Sequence, residues 1–272
     1  VIVSEYRKDK RFSQSDVKKY LNLSPEHFFE QYRNKSAPTE SMIFGAALHH
    51  KILESQSWSE FYCLDLWSKR RAGKDYTAHK KELAEDAEDR TIIKVGTEGA
   101  NDKSFSTMSD IHSWILKYYP KLLSHAKNKN EHSLYGEING VQVKGQMDIY
   151  REGIGILDLK FTEFNIDTDH KLNKLVIDGR FDIQAYMYIE LVNQNYGLTV
   201  PFHFKVISWK DKPICMRTVE ISWAKTPEIL ENAKMQVENA LFEMEQYRNV
   251  EEFPLNKEIY IPRIPDYIYG EK

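Results

Sequence analysis

Cysteine is scarce: the 272-residue chain has two, Cys63 and Cys215. They stand far apart without C-x-x-C spacing. By themselves they cannot hold a zinc ion or an iron–sulfur cluster, and free thiols fit a reducing compartment. No run of about eighteen apolar residues occurs, so no membrane-spanning helix is expected. The opening VIVSEYRKDKRF is too polar for a secretory signal. These absences lead us to expect a soluble, cytoplasmic protein with no membrane partner. A first residue of valine leads us to expect a processed form or a piece of something longer. Net charge is also small, with 38 Lys and Arg against 41 Asp and Glu giving −3 at pH 7. This excludes a surface coated in basic residues, so any binding to a polyanion must rest on local positive potential.

What is present is ordinary globular material, 41% hydrophobic and 12% aromatic. A chain of this length can bury a sizeable core and is most simply one enlarged domain. Within it we distinguish a mainly helical part (1–130), a core (131–248) and an irregular tail (249–272). Ser13 and Asp16 have capping-box spacing ahead of Val17, Tyr20 and Leu21. Ser24-Pro25 restarts a helix that carries Phe28, Phe29 and Tyr32. Met42 to Glu54 reads as an apolar helix, and Ile111 to Leu123 as an amphipathic stretch broken by Pro120. Lys127 to Asn130 reads as a polar turn and Thr162 to Arg180 as a polar link. Phe181 to Asn195 is helical, Val200 to Trp209 and Ile214 to Trp223 are strands, and a long helix runs from Thr226 to about Arg248. The order predicts a mixed α/β sandwich.

The stretch from Glu131 to Phe161 organises the rest. Val141 to Tyr150 and Ile154 to Phe161 flank a turn at Arg151-Glu152-Gly153 and predict an antiparallel hairpin. Closed symmetrically about Gly153, it sets Tyr150 opposite Ile156, Asp148 opposite Asp158 and Gln146 opposite Lys160. Asp158 and Lys160 then share a face. Two facing carboxylates repel, and the apolar residues around Asp158 predict a strand buried on both faces. Buried charges must be paired or metal-bound, so a hard cation such as Mg²⁺ and a structural ion pair are the two readings.

Other side chains offer less by themselves. Gly45 lies one turn before His49 on the apolar helix, where a glycine costs about 1 kcal/mol relative to alanine. It would let a backbone or substrate approach the imidazole, while His50 lies about 100° round the helix and should not share the site. Gln184 and Tyr188 share a helical flank. The helix starts at Ser13, Ser15 and Ser24 are either plain caps or seats for a phosphate. Arg70, Arg71 and Lys74 belong to a charged stretch from Lys69 to Asp89. It is either a solvated face or a basic arm whose neighbours Trp67 and Tyr76 stack on bases.

Asp148 followed by Asp158-Leu159-Lys160 resembles the signature of the PD-(D/E)XK nucleases, with Met147 where that family has proline. Gly45 to His49 resembles the G-x-x-x-H element of the RecB-like and RecE-like branches, and Gln184 with Tyr188 their Q-x-x-x-Y. Glu131, the opening Phe12 to Val17 and Leu23-Ser24-Pro25 resemble RecE-type exonucleases. The resemblance spans about Ser13 to Tyr188. It implies a restriction-endonuclease-like core, a mixed sheet flanked by helices, with helical additions at the N-terminus. It implies Mg²⁺, or Mn²⁺ in its place, held by His49, Asp148, Asp158 and the Leu159 carbonyl, with Glu131 helping at a second ion. Lys160 would orient or deprotonate water, supported by Gln184 and Tyr188. Ser13, Ser15, Ser24, Arg70, Arg71 and Lys74 become candidates for DNA contact. The implied activity is 5′→3′ digestion of linear double-stranded DNA to mononucleotides, leaving 3′ strands for a RecT-type annealing protein. A ring-like homotetramer and a phage or prophage origin in a bacterial host are implied as well. A restriction-like endonuclease and an inactive DNA-binding protein are the alternatives.

Overall fold

The structure is a computed structural model that describes residues 5–34, 36–67, 73–96, 102–210, 213–250 and 253. In chain order the elements are α1 (Glu5–Lys8), β1 (Phe12–Ser13), α2 (Gln14–Tyr20), α3 (Pro25–Arg33), α4 (Glu40–Leu53), α5 (Trp58–Phe61) and β2 (Tyr62–Asp65). There follow α6 (Lys74–Ala87), β3 (Thr91–Lys94), α7 (Phe105–Tyr118), α8 (Pro120–Leu123), β4 (Asn128–Ile138), β5 (Val141–Arg151) and β6 (Gly155–Thr162). The last are α9 (Asp169–Asp178), α10 (Phe181–Tyr196), β7 (Phe202–Ser208), β8 (Cys215–Ile221) and α11 (Pro227–Tyr247). No described helix is long and apolar enough to cross a membrane.

The main sheet is mixed. β5 pairs antiparallel with β4 and β6 and parallel with β1, and β7 lies parallel to β6 and antiparallel to β8. Each face carries its own core, because the inner strands are apolar on both sides. On one face Val143, Met147, Tyr150, Ile156, Phe202 and Phe204 pack under α2, α3, α10 and α11. On the other, Ile149, Leu157, Leu159 and Ile207 pack under α4 and α7. This is the mixed sheet flanked by helices that the sequence predicts.

The expected hairpin forms in the expected register, with Tyr150 opposite Ile156 and Ile149 opposite Leu157. Gly153 takes the turn at φ 68°, a conformation that glycine adopts without strain. Three local expectations change. Lys127 to Asn130 is not simply a turn, since Asn128 already opens β4 and pairs with Arg151, bonding its guanidinium side chain as well. The polar link after β6 contains α9, which Thr168 caps by accepting the Lys171 N–H. The helical N-terminal part also contributes to the sheet, because Phe12 and Ser13 of β1 pair with Val143 and Lys144. Buried Lys144 fastens this edge by donating to the carbonyls of Tyr6 and Asp9, each at 2.7 Å.

Candidate active site

The site lies where β5 and β6 part. Their ladder ends at Ile149–Leu157, while β6 continues alongside β7 as far as Thr162. One more step of the register would set Asp148 against Asp158. Instead the Asp148 carboxylate turns into the widening gap, and its Oδ2 accepts the Leu159 N–H at 2.6 Å. A break in alternation accompanies the turn. Met147 and Tyr150 belong to the same core although an odd number of positions separates them, which a regular strand does not allow. Across from Asp148 on β4, the register skips Glu131, whose φ of 47° interrupts its strand at the same level.

Three elements converge on this gap. From α4, His49 Nδ1 comes within 3.4 Å of Asp148 Oδ2, and its ring packs edge-on against Phe161 with centroids 5.1 Å apart. His50 points elsewhere, to Ser57 Oγ at 2.9 Å, as its helical angle predicts. On the α10 side of β6, Lys160 Nζ lies 2.6 Å from Asp158 Oδ2, and Gln184 Nε2 donates to Asp158 Oδ1 at 2.5 Å. Asp158 is 4% exposed; its Oδ1 takes the Gln184 amide, while buried Oδ2 has the Lys160 ion pair but no hydrogen bond among the described residues. Tyr188, one turn after Gln184, donates to the Gln146 carbonyl at 3.1 Å and ties α10 to β5. That close approach needs Gly145, where a Cβ would meet the Tyr188 ring at 2.7 Å.

The charges are unequally settled. Burial, with the Asp158 carboxylate adding to it, pushes the Asp148 carboxyl up from its ordinary 3.8 to about 6, against the opposing pull of His49 and Lys160. Burial, with help from Lys160, pushes Lys18 of α2 down to about 7. The Lys18 ammonium donates to Gln184 Oε1 at 3.2 Å.

Residues 13–259 match the family described as a PDDEXK-like domain of unknown function (DUF3799). The chain belongs to this PDDEXK-like family. Its fold is similar to that of a "putative exonuclease" from Eubacterium rectale, at 17% identity and a TM-score of 0.62, over 99% of this chain and 98% of that one. It also matches a phage-related exonuclease from Haemophilus somnus 129PT, at 15% identity and a TM-score of 0.36, over 74% of this chain and 93% of that one. No curated protein is significantly similar in sequence.

PDDEXK-like nucleases generally depend on a divalent metal, and the donor set here suits one. His49 adjoins the Asp148 carboxylate at 3.4 Å, and the ionised form of Asp148 is the one that burial and the Asp158 charge oppose. A hard cation would relieve that opposition. A strand residue directs its N–H and C=O to the same edge, so the Leu159 carbonyl faces the gap into which its N–H donates. Among the described residues no cluster of three His, Cys, Asp or Glu side chains is placed to hold a metal ion by itself. An open half-shell is what Mg²⁺ accepts, since it binds through one or two carboxylates and keeps several waters. Asp148, Asp158, the Leu159 carbonyl and His49 are the groups that would hold it. Glu131 lies on the neighbouring strand without joining these carboxylates in such a cluster.

The remaining candidates sit apart from this gap or are otherwise engaged. Ser13 gives both its N–H and its hydroxyl to Asp16, completing the capping interaction. Ser24 Oγ accepts the His27 N–H, and Ser15 is exposed beside Gln14. Lys74 opens α6 on the surface, whereas Arg70 and Arg71 lie outside the described residues. Among the described residues none packs closely on Gly45, since a Cβ there would meet nothing within 4 Å. The expected close packing inside the chain is therefore not its reason. Sequence reasoning missed Lys18, a lysine one position after buried Val17 in a short helix, which carries no mark of its reach to Gln184.

Proposed function

We propose that this protein is a metal-dependent exonuclease that degrades linear double-stranded DNA from its 5′ ends to mononucleotides. The observation that carries the proposal is the pairing of two unlike carboxylates across one strand gap. Asp148 accepts the Leu159 N–H beside His49, and Asp158 is held by Lys160 and Gln184. The metal would lower the pKa of bound water and offset charge on the phosphate. Lys160, 30% exposed at its side chain, presents an ammonium to solvent beside that position. Bound to a carboxylate it is a donor, so it orients water and stabilises the developing phosphate charge rather than taking a proton. Gln184 fixes the Asp158 carboxylate, and Tyr188 keeps α10 against β5. The 3′ strands left behind would suit a RecT-type annealing protein. A ring-like homotetramer around DNA would explain how a mildly acidic chain stays on its polymer.

The test uses linear duplex labelled at either end, with circular DNA alongside, in Mg²⁺ and in EDTA. Early metal-dependent release of the 5′ label as mononucleotide, with circles spared and Lys160→Ala inert, is the expected result. Cut circles would replace the proposal by an endonuclease, and absence of cleavage by a DNA-binding protein.

A further inference from the structure

Lys18 is held in place from several sides. Val17 and Tyr20 of the same helix are buried in the core, and the Tyr20 hydroxyl donates to Glu243 of α11 at 2.8 Å. From this fixed base the Lys18 ammonium reaches inward to a neutral amide oxygen, Gln184 Oε1 at 3.2 Å. The same Gln184 side chain holds Asp158, whose second oxygen holds Lys160. Nearby Arg180 and Asp182 neutralise one another at 3.0 Å. Lys160 thus has Asp158 in direct contact, whereas among the described residues Lys18 has an amide oxygen as its hydrogen-bond partner, with the Asp158 and Asp182 carboxylates attracting it from further off. A desolvated cation in that position is unfavourable unless an anion arrives, and a substrate anion satisfies the demand without an additional acidic side chain. Were Asp158 to ligate a cation, Lys160 would lose part of its counter-charge and the excess would grow.

We propose that Lys18 is a substrate-binding residue that contacts a non-bridging oxygen of the DNA backbone on the α10 side of Asp158, next to Lys160. This rests on the nuclease reading and adds to it a phosphate contact supplied by α2. A side chain that only orients Gln184 would change activity but not the number of phosphates neutralised. Salt dependence separates the two roles, because each lysine–phosphate contact adds about one to the slope of log K against log salt.

The experiment is fluorescence anisotropy with a short blunt duplex in Ca²⁺, over a range of salt, for wild type, Lys18→Met and Lys18→Arg. The expected result is a slope shallower by about one for Lys18→Met and restored in Lys18→Arg. Lys18→Gln replaces Lys18→Met if the latter does not fold. An unchanged slope in the neutral variant, with wild type binding normally, overturns the Lys18 contact and leaves the nuclease reading standing. Absence of salt-dependent binding by wild type overturns both.

Discussion

Replacing Asp148 by asparagine should stabilise the metal-free protein while removing its response to metal. Asparagine keeps an oxygen to accept the Leu159 N–H but cannot ionise. In the wild type, burial and Asp158 raise the Asp148 carboxyl from 3.8 to about 6, so the folded state holds a proton that the unfolded state has released. Stability must therefore fall as pH rises from about 4 to about 6, and the loss is complete above that. About two pH units correspond to ~3 kcal/mol, and the side chain is only 15% exposed, so solvent removes little of this. For a chain of this length such a gain raises Tm by about 5 °C. The assay is thermal and urea unfolding of both proteins in EDTA between pH 4 and 8. The two should nearly coincide at pH 4 and differ by ~3 kcal/mol at pH 7.5. Added Mg²⁺ should then stabilise the wild type by mass action and leave Asp148→Asn unmoved. Parallel curves across that pH range would refute the assigned cause, and equal responses to Mg²⁺ would refute the ligand assignment.

Lys160→Met should retain the fold and lose cleavage by about 10²-fold or more, the scale of one lost charge-stabilising donor, in single-turnover assays with circular dichroism as control. Gln184→Leu should cost about 1–3 kcal/mol in urea unfolding, because it leaves buried Asp158 short of a donor. Gly145→Ala should destabilise by about 1–3 kcal/mol, since its Cβ would lie 2.7 Å from the Tyr188 ring. A wild-type melting temperature in that variant would show that α10 yields freely. Tyr188→Phe should cost only about 1 kcal/mol and a small part of the activity, because the ring remains and a single bond to the Gln146 carbonyl is lost. A loss as large as that of Lys160→Met would place the hydroxyl in contact with substrate.

The hairpin register was legible because a glycine turn between two β-type runs, closed symmetrically, admits one pairing. Helix α4 was legible as an apolar run, and α10 and α11 from their periodicity. What the pattern could not show is where the ladder stops. Asp148 turns into the gap only because β6 follows β7 instead of β5, which is a property of the assembled sheet. β1 escaped notice because two residues carry no period, and α9 because a polar helix lies within a polar stretch. Lys18 was hidden for a related reason, since its partner Gln184 is 166 positions away.

The carboxylates, their amide and their lysines come from α2, β5, β6 and α10, and β6 is an open edge until β7 pairs with it. During synthesis the hairpin can form early from local contacts, but Asp158 meets Gln184 only after α10 has been made. Domains generally complete as units, with long-range pairings last. An incomplete chain that ends before α10 would thus carry both carboxylates without the amide that holds Asp158.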